Sequence, residues 1–247
     1  MNVLWIISDQ HREEAMSCSG SRSVETPQLD SLADSGVRFS GAHTISPLCA
    51  PARASFYTSQ YIHQHGVNSL HKPIDPSATT LPQVLQQHGY YTAHLGKWHL
   101  SGGAAPSHFV APCFRRGWDT WIGWENSNRP FETEYSEGPY PIPRKRLPGY
   151  QTDALTDIAI EQITRLKGEM PWFMVVSIEP PHDPHVAPEP YMKAYENREL
   201  AFRNNVPDEW KTEENIAKAK GYYAQIKNLD DNVGRILRCL EETGQDD

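Results

Sequence analysis

The sequence predicts an α/β protein with a mainly parallel sheet and helices on both of its faces. Three observations carry that reading. Short apolar runs of strand length alternate with stretches whose apolar residues recur at helical spacing. The runs at 3–8 and 172–178 are apolar nearly throughout, as strands buried on both faces are. Chemically capable residues follow those runs directly, at Asp9, at 97–99 and at 179–185, and in open parallel sheets ligands bind beyond the carboxyl ends of the strands.

The elements follow in order. Val3, Leu4, Trp5, Ile6 and Ile7 run into polar Asp9 and set the first strand at 3–8. Thr26 as cap, Pro27 in the first turn and Leu29, Leu32 and Ala33 on one face set a helix that Gly36 closes. Residues 37–42 read as a strand or as a bend. Pro51 suits a first helical turn and 52–57 read as helix, so Cys49 falls at or just before a helix N-terminus. A helix over 80–88 carries Leu81, Val84 and Leu85 on one face and stops at Gly89; 90–95 form the second strand. The segment 101–150 breaks the alternation. It holds Pro106, Pro112, Pro130, Pro139, Pro141, Pro143 and Pro148 with Trp118, Trp121 and Trp124. It reads as a packed excursion with an aromatic anchor or as a wall facing a substrate. Then come an amphipathic helix over 153–167, the buried strand at 172–178 and a long helix over 213–243. That last helix has Tyr223, Ile226, Leu229, Val233, Ile236 and Leu240 at helical spacing.

Composition bounds the function. The 247 residues carry a net charge of −8, which disfavours a broad nucleic-acid surface and requires any anionic ligand to be held by a local cationic pocket. No apolar run approaches membrane-spanning length. Residues 1–7 show no basic leader or small-residue cleavage site, so a cytoplasmic location is expected; a trimmed chain would instead be periplasmic or secreted. The four cysteines, Cys18, Cys49, Cys113 and Cys239, are scattered and suggest neither a zinc cluster nor a disulfide framework.

Cys49 is the most informative residue. It opens Cys49-Ala50-Pro51-Ala52-Arg53, which places a sulfur nucleophile at an anion-favouring helix end, with a permanent cation about one turn later. Its plain alternative is a buried structural cysteine. Asp9-Gln10 ends the first strand and offers hard oxygen donors, suited to calcium, magnesium or manganese. Leu95-Gly96-Lys97-Trp98-His99 ends the second strand. There Gly96 permits a sharp turn, Lys97 is a point charge, and His99 can donate a hydrogen bond or a proton near neutral pH. After the strand at 172–178, three prolines fix a loop that presents His182 and, as a weaker candidate, His185.

The Cys-x-Pro-x-Arg run resembles the signature of the type I sulfatases, a branch of the alkaline phosphatase superfamily. The Gly-Lys-x-His run after Tyr90-Tyr91-Thr92-Ala93 looks like that family's second signature. His182 is similar to its leaving-group histidine, and the helix containing Tyr222, Tyr223, Asp230 and Asp231 is similar to the helix before its last metal-binding strand. Asp230 and Asp231 themselves read as structural or solvated. Gln10, where many members carry a second acid, resembles the choline sulfatase and phosphonate monoester hydrolase branches.

The resemblance implies an alkaline phosphatase-like fold, with 1–247 as the N-terminal part of the catalytic domain. It implies that a maturation enzyme converts Cys49 to formylglycine, whose hydrate attacks sulfur. A metal, Ca2+ with Mg2+ or Mn2+ as alternatives, would be held by Asp9, Gln10 and the residue at position 49. Arg53, Lys97 and His99 would stabilise developing charge, and His182 would help the alcohol leave. The implied substrate is a small sulfate ester of a sugar, a phenol or choline. In that family further metal ligands follow the long helix, where this sequence reaches Asp246 and Asp247, so low or no activity is expected of this chain as it stands. Two other readings stay open: a phosphonate monoester or phosphodiester hydrolase, and an inactive chain in which Cys49 remains a thiol.

Overall fold

A computed structural model describes residues 1–104, 107, 109–115, 117–138 and 145–246. Of the residues singled out above, Pro106, Pro139, Pro141, Pro143 and Asp247 lie outside these. In chain order the main elements are β1 (Val3–Ser8), α1 (Pro27–Ser35), α2 (Cys49–Thr58), α3 (Ile62–His65), α4 (Leu81–Gln87) and β2 (Tyr91–Lys97). They continue with β3 (Thr120–Trp124), β4 (Glu134–Glu137), β5 (Lys145–Arg146), α5 (Gln151–Arg165), β6 (Trp172–Ile178), α6 (Glu189–Glu196) and α7 (Glu213–Thr243).

Among the described residues the strands form one sheet in the order β1-β6-β2-β3-β4-β5. The first four are parallel to one another. Val3 pairs with Phe173 and Ser8 with Ile178; Tyr91 pairs with Trp172 and Gly96 with Ser177; Ala93 pairs with Thr120 and Lys97 with Trp124. β4 and β5 extend the sheet antiparallel. In this register β1, β6 and β2 end side by side, so the residues following them share one edge.

Alternation along the strands explains the two faces. Leu4 and Ile6 of β1 with Met174, Val176 and Ile178 of β6 pack against Leu155 and Ile163 of α5 and Val233 and Ile236 of α7. Val3, Trp5, Ile7, Phe173 and Val175 point the other way, against Ala50, Ala54 and Tyr57 of α2. Burying each such aliphatic or aromatic side chain contributes about 2 kcal/mol, so packing fixes these elements more than helix propensity does. The two faces confirm the α/β architecture the sequence predicts.

The differences are local. Residues 37–42 form no strand; Val37 and Phe39 are exposed. β2 runs two residues past 95 and so contains Lys97. The excursion at 101–150 is partly sheet, contributing β3, β4 and β5, while Trp121 and Trp124 are buried as the predicted anchor.

Candidate active site

Cys49 is the first residue of α2, with Leu48 extended before it as the cap. Pro51 sits in that first turn, where its missing N–H costs no intrahelical bond. The Cys49 thiol donates to Asp9 Oδ1 at 3.3 Å. Asp9 follows β1 and stays in the ladder, its N–H donating to Ile178 O at 3.1 Å. Its other oxygen, Oδ2, lies 2.9 Å from Lys97 Nζ and 3.3 Å from Arg53 Nη2.

Lys97 is 1 % exposed and also pairs with Glu179 Oε1 at 3.1 Å. Glu179 in turn accepts from Trp124 Nε1, the Ser127 backbone N–H and Gln151 Nε2. Two acids and two bases therefore interlock beneath the cleft. Burial alone would raise the Asp9 pKa, but the neighbouring Lys97 and Arg53 charges outweigh it and hold the carboxyl well below its usual range. Glu179 is likewise lowered, burial being overcome by Lys97 and the donated hydrogen bonds. Lys97 is raised, because Glu179 and Asp9 outweigh its burial.

Arg53 lies on the same helix as Cys49, but it is not a free fork aimed outward. Its Nη1 donates to Lys97 O and Ser177 Oγ, both at 2.8 Å, and ties the ends of β2 and β6 to α2. Gly96 makes this close approach workable: its φ is +108° and a Cβ there would sit 2.1 Å from Ser177 O.

Burial pushes the Cys49 thiol up to about 11, the Asp9 carboxylate adding to the rise and Lys97 and Arg53 only partly opposing it. As encoded, Cys49 is therefore a thiol at neutral pH and a poor nucleophile. Burial, then the Lys97 and Arg53 charges, lower the His99 pKa to about 3. His99 is thus a neutral imidazole near pH 7, a hydrogen-bonding group rather than the proton donor that the sequence also allowed. With Asn126 Nδ2 donating to His99 Nε2 at 3.1 Å, the ring proton sits on Nδ1, a buried nitrogen with no hydrogen-bond partner among the described residues.

These side chains line a cleft of ≈ 590 Å³ that also includes Gln10, Ser46, Asn126, Asn128 and His182. Sequence reasoning thus brought together Asp9, Gln10, Cys49, Arg53, Lys97, His99 and His182. His182 Nδ1 lies 2.8 Å from Asp183 O. His185 turns away from the cleft to Gln225 Oε1 at 3.2 Å and the Tyr222 ring. Asp230 is structural, accepting the N–H groups of Gln28 and Leu29 at 3.0 Å each.

Glu179 and Asn126 were missed. The signal for Glu179 was present: an acid directly after a nearly apolar strand, as Asp9 is. No comparable signal marks Asn126.

A family model described as Sulfatase matches residues 1–247. The chain belongs to the sulfatase family. An ulvan-active sulfatase of Formosa agariphila is 32% identical over 251 residues, spanning 98% of this chain and 47% of its own. A choline-sulfatase of Rhizobium meliloti is 28% identical over 299 residues, spanning 98% of this chain and 54% of its own. Among solved structures, a Bacteroides fragilis protein designated sulfatase yidJ superposes with a TM-score of 0.88 at 27% identity, over 100% of this chain and 59% of that one. A phosphonate monoester hydrolase of Agrobacterium radiobacter shares the fold, with a TM-score of 0.69 at 22% identity over 99% of this chain and 60% of that one. The fold of this sulfatase-family chain is alkaline phosphatase-like. The chain spans about half the length of the curated relatives it matches.

Proposed function

We propose that the protein hydrolyses a sulfate monoester and that position 49 acts as formylglycine, produced from Cys49 by a maturation enzyme. One observation carries this reading. The site holds the residue at position 49 beside Asp9, whose carboxyl the buried Lys97 and Arg53 charges keep well below its usual range, yet burial and that carboxylate push a thiol there up to about 11. Such surroundings suit an oxygen nucleophile near a hard cation and do not suit a thiolate.

The donor chemistry fits a hard divalent ion in part. Asp9 supplies a carboxylate, Gln10 an amide oxygen at the rim and a converted position 49 a further oxygen. Among the described residues no three His, Cys, Asp or Glu side chains converge as a metal cluster. Asp9, Gln10 and position 49 are thus a partial ligand set for Ca2+, with Mg2+ or Mn2+ as alternatives. When bound, the ion would activate the hydroxyl at position 49 and neutralise sulfate oxygens.

The remaining work falls to the chain's own residues. Lys97 and Arg53 keep Asp9 ionised and fixed. The N-terminus of α2 favours the ester's oxygens and is preorganised before substrate arrives, with neutral His99 on the same cleft wall. His182 lines the cleft, which supports a role in giving a proton to the departing alkoxide.

Relatives named for ulvan and for N-acetylglucosamine-6-O-sulfate support a sulfated sugar as substrate. The full-length protein, matured in its host and supplied with calcium, should hydrolyse an aryl sulfate faster than an aryl phosphonate monoester. The reverse order would replace this reading with the phosphonate one, which Gln10 favours. No turnover of either would indicate an inactive chain.

A further inference from the structure

A second cavity, of ≈ 350 Å³, opens on the far side of Gln10, and Gln10 lines both spaces. Apart from Gln10, its walls take no part in the hydrolytic chemistry: Arg12 of the turn after β1, His185 of the loop after β6, the chain between α6 and α7, and the first half of α7.

Three features mark it as built for a ligand. First, Arg12 is an exposed cation with no carboxylate paired to it among the described residues. Its guanidinium is nevertheless held in place, donating from Nη2 to Tyr223 Oη at 2.7 Å and lying 5.3 Å and 5.7 Å from the ring centres of Tyr222 and Tyr223. Second, Tyr222 Oη accepts from the Arg12 backbone N–H and donates to Gln10 O, each at 3.0 Å, so the cavity wall and the cleft rim are one connected unit. Third, Trp210 is 40% exposed and is braced edge-on by Phe202 at 5.9 Å, leaving an indole surface on the cavity.

A held guanidinium without a carboxylate partner among the described residues, and an exposed aromatic on the same cavity, suit an anionic sugar. The ring's apolar face packs on the indole while a sulfate or carboxylate takes the planar fork. The volume accommodates a sugar ring. In a chain of net charge −8, anion capture has to be local in this way.

We propose that this cavity seats the sugar next to the one whose sulfate is cleaved, with that neighbour's own anionic group on Arg12. The inference rests on the sulfatase reading of the cleft. It narrows the substrate to an anionic oligosaccharide rather than a free small ester.

The test uses the full-length, matured protein as wild type, Arg12→Ala, Arg12→Lys and Trp210→Ala. Turnover is measured on an aryl sulfate and on three matched sulfated oligosaccharides whose neighbouring sugar carries a sulfate, a carboxylate or no charge. Binding of the same oligosaccharides is measured by calorimetry. Arg12→Ala should lower kcat/KM and affinity for the charged-neighbour oligosaccharides about tenfold, the size of one lost charge-assisted contact. Aryl sulfate turnover should stay within about twofold, because that substrate does not reach the cavity. Arg12→Lys should recover part of the loss, and comparison of the sulfate and carboxylate arms identifies which anion is read. Unchanged oligosaccharide affinity in Arg12→Ala and Trp210→Ala overturns the proposal whether or not the ester is cleaved. Absent turnover of both the aryl sulfate and every sulfated oligosaccharide, with Arg12-dependent binding retained, overturns the sulfatase reading and supports the cavity.

Discussion

Lys97 shows most clearly what the site demands of a single residue. It is a buried ammonium whose charge is balanced by Asp9 and Glu179 at 2.9 Å and 3.1 Å. Removing it would take the cation from buried Glu179 and leave Asp9 with Arg53 alone. Lys97→Ala should therefore lower unfolding free energy by about 3–5 kcal/mol and abolish turnover. The double variant Lys97→Met with Glu179→Gln should recover part of the stability in urea denaturation but none of the activity. A second residue-scale expectation concerns His94, buried against Trp121 with ring centres 4.7 Å apart. Burial, helped by the Arg53 charge, lowers its pKa from 6.5 to about 3. Between those values the unfolded chain binds the proton and the folded one does not, so stability is lost as pH falls through this window. From pH 7 to pH 5 this one histidine should cost about 2 kcal/mol. His94→Phe should flatten the pH dependence of urea midpoints by that amount; an unchanged slope would remove His94 from the account. At this scale the sequence was informative wherever function sits at the end of an element. Asp9, Cys49, Lys97 and His99 all do. It was silent on Asn126; Glu179 carried the same strand-end signal as Asp9, but its pairing with Lys97, and the burial of Arg53 against Lys97 and Ser177, are not written in spacing.

At the scale of elements, α7 does more than cover the sheet. Its Asp230 caps α1 from another part of the chain, accepting the free first-turn N–H groups of Gln28 and Leu29. Asp230→Ala should cost about 1–2 kcal/mol, as loss of a helix cap does, with KM unchanged. Asp230→Asn, which keeps an acceptor, should cost less; equal losses in thermal unfolding would argue against capping. The same helix sets the loop after β6, since a Cβ at Gly221 would lie 2.0 Å from His185 O. Strands β1, β2 and β6 and helices α2, α5 and α7 were legible because each has one strong period and clear end signals. β3, β4 and β5 were not. They are short and mix aromatic, glycine and charged residues, and their pairing depends on an edge that β2 provides only after folding. The long excursion thus serves partly as sheet, partly as core through its tryptophans, and partly as cleft wall through Asn126 and Asn128.

For the whole molecule, the parallel order β1-β6-β2 is what assembles the chemistry. It sets Asp9, Glu179 and Lys97 at one edge, and α2 delivers Cys49 to the same place from a different segment. Chain-wide charge is acidic, so anion capture relies on cations set locally: Lys97 and Arg53 are balanced beneath the cleft, and Arg12 stands beside it. The central claim is that this assembly exists to use position 49 as an aldehyde-derived nucleophile. Peptide mass spectrometry across Cys49, on the full-length protein purified from its native host with measured aryl sulfatase activity, tests it most directly. The account predicts an aldehyde in place of the thiol, with its fraction tracking specific activity. A plain cysteine in an active preparation would contradict it.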